Sequence, residues 1–221
     1  MLPYAIAPAQ LSVAAARAFP LGMQKRSAHT ISMPRLLVFI VVAALAAWPA
    51  VTWPDQTDTR LDALFERLQV TGDEVEAQMI TGQIWIIWRE TSNDVARALM
   101  RAGMRDMTHE HYDEALEAFN TVVQVAPHFA EGWNARATLL YLMGDYPGSV
   151  ADIRRTLGLE PRHFGAWSGL GLIYMSLEQD RAAFAAFKKA LEINPHLTGS
   201  RRNADLIKRR LKDTIIYKRS W

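Results

Sequence analysis

The sequence predicts an all-α protein in which a pair of helices is repeated along the chain. Three prolines, Pro127, Pro161 and Pro195, recur at intervals of 34 residues. Other positions keep the same interval: Trp133 and Trp167; Gly103, Ala137 and Gly171; Ala115, Ser149 and Ala183; and Phe119, Ile153 and Phe187. A fixed period of this length is typical of an array in which each unit buries its apolar face against the next.

The formal charge of +2 is distributed unevenly along the chain. Residues 1–54 carry four basic side chains and no acidic one, residues 55–200 carry 13 basic and 21 acidic ones, and residues 201–221 carry eight basic and two acidic ones. The sequence pI of about 9.0 therefore owes much to the N-terminal segment. We predict no nucleic-acid partner, although the pI alone would suggest one.

Residues 1–54 are interpreted as an N-terminal extension with a signal peptide. The apolar region 36–47 follows Arg35 and is 12 residues long, with an Ala-x-Ala cleavage option at Ala44–Ala46. A bilayer span needs roughly 20 apolar residues, so this region is short for an anchor. We expect an exported protein, periplasmic or secreted. A retained single-pass membrane anchor is the alternative, and a buried core helix is a third interpretation.

Residues 55–93 are predicted to form a leading helical hairpin. Apolar residues recur there at helical spacing, and Thr71 with Glu74 suggests a capping box between the two helices. The second helix is apolar around much of its end, where Trp85 and Trp88 lie. We expect these tryptophans to pack against the first repeat, with ligand stacking as the alternative.

Residues 94–197 contain three units, at about 96–129, 130–163 and 164–197. Each unit is predicted to form a helix, a short turn and a second helix, and the periodic proline stops the second helix. The third unit shows the pattern most completely, with Trp167, Leu170, Gly171, Tyr174, Ala183, Phe187, Ala190 and Pro195. This pattern resembles the tetratricopeptide repeat (TPR) family, which implies a right-handed superhelical array of helix–turn–helix repeats.

The second unit departs from the family pattern at one informative position. Arg136 stands where the family usually has Leu. A buried guanidinium needs a partner, because an unpaired charge is costly away from water. We expect Arg136 to pair within the array, for example with Asp152 or Glu131, rather than to bind a ligand.

Residues 198–221 are predicted to form a basic amphipathic capping helix and a tail. Ala204, Ile207, Leu211 and Ile215 fall on one stripe, which can cover the last unit. The other faces carry basic side chains, at Arg201, Arg202, Lys208, Arg209, Arg210 and Lys212. We interpret them as a solvated surface, with peripheral contact to anionic lipid or to an acidic partner as the functional alternative.

The sequence carries no catalytic motif that we can recognise, and we predict a protein that is not an enzyme and needs no cofactor. Ser168 lies on a predicted helix and lacks the glycine pattern of a nucleophile elbow. The absence of cysteine excludes thiolate metal sites and a cysteine nucleophile. His109-Glu110-His111 lies in a predicted turn, where solvated side chains are a better interpretation than a metal site.

The resemblance implies that the first helix of each unit lines a concave groove. The groove residues that we predict to contact a partner are Arg97, Met100, Met104, Met107, Asn134, Thr138, Tyr141, Ser168, Leu172 and Met175. Methionine side chains adapt to partners of varied shape. Some TPR domains hold a C-terminal carboxylate with basic residues and Asn, but the corresponding positions here are Met100, Met104, Ala135, Gly165 and Gly169.

The sequence therefore predicts a non-catalytic scaffold that binds a protein or peptide of unknown identity. We expect this scaffold to act in the bacterial cell envelope, on the strength of the N-terminal segment. The alternative is a membrane-tethered adaptor that keeps its N-terminal anchor and rests its basic terminal helix on the lipid.

Overall fold

The computed structural model describes residues 58–219, with side chains as far as residue 212. The predicted signal peptide lies outside these residues. All regular structure from 58 to 219 is α-helical. The helices are α1 (Thr59–Val70), α2 (Glu74–Trp88), α3 (Asp94–Thr108), α4 (Tyr112–Val125), α5 (Ala130–Leu142), α6 (Tyr146–Leu159), α7 (Phe164–Ser176), α8 (Asp180–Ile193) and α9 (Thr198–Arg219). Within that range, none of them combines the length and apolar character needed to cross a bilayer.

Side-chain caps explain where the first helices begin. Asn93 caps α3, because its side chain accepts a hydrogen bond from the Ala96 amide at 2.9 Å. The capping box predicted for α2 from Thr71 and Glu74 is replaced by another arrangement. Asp73 caps this helix by accepting from the Val75 amide at 2.8 Å, while the Thr71 hydroxyl bonds to the Glu76 carboxylate.

Each predicted unit is a pair of antiparallel helices, α3 with α4, α5 with α6 and α7 with α8. The periodic small residues allow these pairs to approach closely. A Cβ atom added at Gly103 or at Gly171 would lie 2.6 Å from the ring of Phe119 or Phe187, respectively. The all-α repeat array predicted from the sequence is confirmed.

The joints between units share one hydrogen bond. Trp133 and Trp167 each donate from the indole nitrogen to the carbonyl of the proline six residues earlier, at 3.0 and 3.1 Å. Arg201, 34 residues after Trp167, donates to the Pro195 carbonyl at 2.5 Å. Ile207 of α9 is fully buried against α7 and α8. Helix α9 therefore continues the array as the first helix of a further unit, and it covers the apolar side of the third.

The leading hairpin, α1 and α2, packs where the sequence did not predict. Its core includes Trp88 and Ile84 and closes over Phe164, with Ile193 and Leu197 at the edge. The expected burial against the first repeat is therefore wrong. The reason is that the start of α7 offers the buried rings of His163 and Phe164 to the apolar side of the hairpin, and the end of α8 offers the Ile193 carbonyl to its polar side.

Direct hydrogen bonds hold the hairpin to the end of α8 and to the loop that follows it. The Gln69 amide donates to the Ile193 carbonyl at 2.7 Å, and Asn194 donates to the Thr81 hydroxyl at 3.1 Å. A ring nitrogen of His196 lies 3.2 Å from the Leu68 carbonyl oxygen. The hairpin is thus fastened across the third unit and α9.

Candidate functional site

Two cavities lie side by side along the inner helices α3, α5 and α7. The first, of about 300 Å³, we call the basic chamber; it is lined by Arg89, Arg97, Met100, Arg101, Met104 and Glu131. The second, of about 280 Å³, we call the neutral chamber. Its lining includes Trp85, Asn134, Thr138, Tyr141, Ile153, Gly165, Ser168, Gly169 and Leu172. Helix α5 contributes to both chambers.

The structure distributes the predicted groove residues unequally. Arg97, Met100 and Met104 line the basic chamber, and Asn134, Thr138, Tyr141, Ser168 and Leu172 line the neutral chamber. The other two line neither chamber. Met107 packs on the core of the first unit, and Met175 packs in the cluster that joins the third unit to α9.

Trp85 of α2 and Arg89, which follows this helix, line the chambers although neither was among the predicted groove residues; ligand stacking was only the alternative for Trp85. Trp85 covers Gly165, since a Cβ atom there would lie 2.6 Å from the indole ring. One turn later, the Arg89 guanidinium lies over the Trp85 ring at 5.5 Å and 4.0 Å from the Glu131 carboxylate. A glycine at a groove-lining position was the available signal, because it indicates that another group approaches the backbone closely.

A buried polar cluster forms the wall between the chambers. Glu131 is 4% exposed and His163 is fully buried. Nδ1 of His163 accepts from the Ala166 amide at 3.0 Å, so Nε2 carries the proton and donates to Glu131 at 3.1 Å. Asn134 donates to the same carboxylate oxygen at 3.0 Å. These bonds satisfy the buried carboxylate and fix the orientation of the wall.

Aromatic side chains of the hairpin pack against His163 of this wall. The indole of Trp88 stacks on the His163 ring with centroids 4.2 Å apart and planes 9° apart. Trp85 meets the same ring edge-on at 5.4 Å. Such ring contacts contribute about 0.5–1.5 kcal/mol each beyond area burial. The groove wall therefore belongs jointly to the repeats and to the hairpin.

Arg162 links the hairpin to the loop before α7. Its guanidinium lies 2.6 Å from Asp62 and 3.3 Å from Glu160, and it covers the Phe65 ring at 4.7 Å. Burial by itself lowers the pKa of Arg162, but the hydrogen bond to Asp62 and the charge of Glu160 outweigh it, so the pKa is raised overall. The guanidinium stays charged and holds the hairpin in place.

Arg136 forms an ion pair outside the two chambers. Its guanidinium donates two hydrogen bonds to Asp152, at 2.7 and 2.8 Å, and one to Asn120 at 2.9 Å. The Trp133 ring lies 5.1 Å from the same group. The predicted pairing of Arg136 within the array, with Asp152 as one of two candidates, is confirmed.

The basic residues predicted for a peripheral surface are all exposed. They are Arg201, Arg202, Lys208, Arg209, Arg210 and Lys212. Within the part of the chain that the structure describes, Arg201 bonds to the Pro195 carbonyl, and Arg210 lies 3.6 Å from Asp180. Arg202, Lys208, Arg209 and Lys212 are exposed along α9 together with one exposed acid, Asp205, so the described surface of this helix is basic on balance.

The histidines of the turn in the first unit, His109 and His111, lie on the protein surface. The rings of His109 and His111 are 6.1 Å apart on an exposed turn. Among the residues that the structure describes, no group of three or more His, Asp or Glu side chains is arranged to hold a metal ion.

Comparison with known proteins connects this geometry to a family. Models of the tetratricopeptide repeat match residues 100–155 and 165–197. A TPR repeat-containing protein of Rhizobium etli is 34% identical over 136 residues, which make up 62% of this chain and 67% of that protein. The next curated relatives are longer, and the matched segment spans 10% to 13% of their length.

Solved structures agree in fold. The TPR domain of Sgt2 from Aspergillus fumigatus superposes with a TM-score of 0.53 at 20% identity, over 55% of this chain and 82% of that one. The first TPR of Spaghetti (RPAP3), bound to the HSP90 peptide SRMEEVD, superposes with a TM-score of 0.51 at 19% identity, over 53% of this chain and 93% of that one. The 34-residue interval, the paired helices and these matches together show that this chain belongs to the tetratricopeptide repeat family.

Proposed function

We infer that this chain is a non-catalytic scaffold that binds a protein or peptide partner in the groove formed by the basic and neutral chambers. The observation that carries the inference is the open space of the two chambers, about 300 and 280 Å³, side by side on the inner helices. Their walls combine Met and aromatic side chains, which offer adaptable apolar contact, with a small number of polar groups. The Spaghetti domain, which shares the fold, is a TPR domain solved with a peptide.

The binding mode differs from a carboxylate clamp. The positions that would carry the clamp hold Met, Ala and Gly. One of them, Gly165, has no room for a basic side chain in this arrangement, because its Cβ atom would lie only 2.6 Å from the Trp85 ring. A partner must therefore be held by other residues of the groove.

We place the protein in the bacterial cell envelope. This proposal is supported by the basic and apolar pattern around region 36–47, which lies outside the described residues, and by a relative in the bacterium Rhizobium etli. The alternative is a membrane-tethered adaptor with an uncleaved anchor. The exposed basic side chains of α9, such as Lys208, Arg209 and Lys212, favour contact with anionic lipid in that case.

Capture of partners by the full chain tests the groove. The variant Met104→Glu with Tyr141→Ala changes one side chain in each chamber and is expected to lose the captured proteins. Met79→Glu is the matched control, since this methionine is 63% exposed on the hairpin. Partners retained equally by all three proteins would exclude the groove as the main site.

Cell fractionation and intact mass test the location. The exported form is expected in the soluble envelope fraction, with a mass that lacks the segment before the cleavage site. Full-length mass in the membrane fraction would refute this proposal and support the tethered adaptor.

A further inference from the structure

The two chambers differ in charge. Arg89, Arg97 and Arg101 all line the basic chamber, and the carboxylate of Glu131 is its only acidic lining group among the described residues. That carboxylate already accepts hydrogen bonds from Asn134 and His163. The neutral chamber is lined by no charged side chain of the described residues. The groove therefore presents two chemically distinct subsites.

The positive charge of the basic chamber is poorly compensated within the chain. Arg101 is exposed and has no ion pair among the described residues. The Arg97 guanidinium donates to the Thr91 carbonyl at 2.8 Å and lies 2.7 Å from Asp94. These contacts leave its charge largely uncompensated, because a carbonyl is neutral and the Asp94 carboxylate is 87% exposed, where ion pairs contribute little. Arg89 lies 4.0 Å from Glu131, beyond hydrogen-bonding distance. Arginine binds carboxylates strongly through paired hydrogen bonds, so the chamber suits an acidic side chain.

The neutral chamber suits a bulky apolar side chain. Trp85, Tyr141 and Leu172 form much of its wall. Three hydroxyl groups of its lining are used within the chain: Thr138 donates to the Asn134 carbonyl at 2.9 Å, Ser149 to the Ala137 carbonyl at 2.7 Å, and Ser168 to the Phe164 carbonyl at 2.9 Å. Its volume of about 280 Å³ exceeds the roughly 150 Å³ that holds a benzene molecule in a protein interior.

The spacing of the chambers limits how a partner can fill both. The basic chamber lies beside α3 and the neutral chamber lies between α5 and α7. Packed helices are about 8–10 Å apart, and an extended chain advances about 3.3 Å per residue. One helix spacing therefore corresponds to about three residues of an extended peptide.

We propose that the groove recognises an extended segment in which an Asp or Glu and a large apolar or aromatic residue are about three positions apart. The acidic side chain enters the basic chamber, and the apolar one enters the neutral chamber. This proposal rests on the groove being the binding site and adds the chemistry and spacing of its partner.

Selection from a phage-displayed library of random 12-residue peptides on the full chain provides the probe. The expected consensus pairs an acidic residue with an aromatic or large aliphatic residue two to four positions away. Selected peptides that bind in the groove but lack this pair of residues would overturn the proposal about the partner and leave the proposed function standing. A selection that yields no peptide sensitive to Met104→Glu would overturn it together with the proposed function.

A double-mutant cycle tests whether Arg101 binds the acidic residue of the peptide. Arg101→Gln in the protein, or Glu→Gln in a selected peptide, is expected to weaken binding about tenfold, the effect of one charge-assisted hydrogen bond. The two changes together are expected to weaken it no further than either alone. Arg154→Gln, at an exposed site on α6, is the matched control. Independent losses for Arg101 and the peptide acid would overturn their pairing.

A variant that places an apolar side chain in the neutral chamber tests the apolar subsite. A Cβ atom at Gly169 would make only an ordinary contact, 3.7 Å from Ile153, so Gly169→Leu is chosen to direct an apolar side chain into the chamber. Replacing the apolar residue of the peptide by Ala is expected to weaken binding to the native protein at least tenfold and to have no effect on this variant. An equal loss with both proteins would place the apolar residue elsewhere.

Discussion

The buried ion pair of the second unit provides a sharp test of how this array is stabilised. Asp152 is 6% exposed in its side chain and Arg136 is 20% exposed. Asp152→Ala leaves the guanidinium with Asn120 and the Trp133 ring, and Arg136 can turn toward water. Since losing one partner of a buried pair costs 3–5 kcal/mol, we expect this partly exposed site to lose about 2 kcal/mol of unfolding free energy.

The opposite single change is expected to be more damaging. Arg136→Leu leaves the Asp152 carboxylate buried without its two donors, and we expect a loss of about 3 kcal/mol. The double variant buries no charge. It also reproduces the third unit, where Leu170 and Ala186 occupy the positions 34 residues later and Ala186 packs at 3% exposure. We expect the double variant to lie within about 1 kcal/mol of the native protein.

Urea unfolding followed by far-ultraviolet circular dichroism measures all four proteins of this cycle. Single losses of about 2 and about 3 kcal/mol, with a double-variant loss of at most about 1 kcal/mol, give an expected coupling of at least about 4 kcal/mol, above the usual range for contacting residues. The exposed pair of Lys189 and Glu192, 2.8 Å apart, is the control and should couple by less than about 1 kcal/mol. Additive losses at Arg136 and Asp152 would refute the view that the pair matters as one desolvated unit.

Three further changes test turns, helix contacts and hairpin docking. Glu110 and Glu178 have φ angles of 61° and 57°, and the equivalent residue of the second unit is Gly144, with a φ angle of 81°. Because glycine adopts positive φ angles without strain, replacing either Glu by Gly should raise the unfolding free energy by about 0.5–1 kcal/mol. An unchanged urea midpoint would contradict this prediction. Gly171→Ala should lower the unfolding free energy by about 1–3 kcal/mol in the same assay, because the added Cβ atom would overlap a buried phenylalanine ring. An unchanged unfolding free energy would show that the two helices can move apart without cost. Trp88→Ala should lower the unfolding free energy by about 3–5 kcal/mol, because a large buried ring is removed. It should also make the segment before α3 the first site that a protease cleaves. The cleavage pattern of the native protein in this variant would show that the hairpin docks without the Trp88 ring.

Much of the fold could be predicted because it depends on contacts that repeat. The prolines at Pro127, Pro161 and Pro195 stop helices locally, and Gly103 and Gly171 permit the close approach of the helix that follows. Each feature acts between elements that are neighbours in the chain. A periodic sequence therefore carries enough information to place each helix against the next.

The candidate site was less accessible to such reasoning. The resemblance to the family suggested which inner positions face the groove, and eight of the ten line one of the two chambers. It missed Arg101 and Trp85, since neither stands at an expected position. Trp85 reaches the groove only because α2 folds back over the loop before α7.

The sequence by itself determined that this protein is an array of paired helices with a 34-residue period, a leading hairpin and a basic terminal helix. Only the tertiary structure decided that the hairpin closes over Phe164 and supplies Trp85 and Arg89 to the groove. The physical reason is the range of the interactions. Periodic spacing specifies contacts between successive helices, whereas the stacking of Trp88 on His163 joins residues with no local relation, and it exists only when the whole chain has packed.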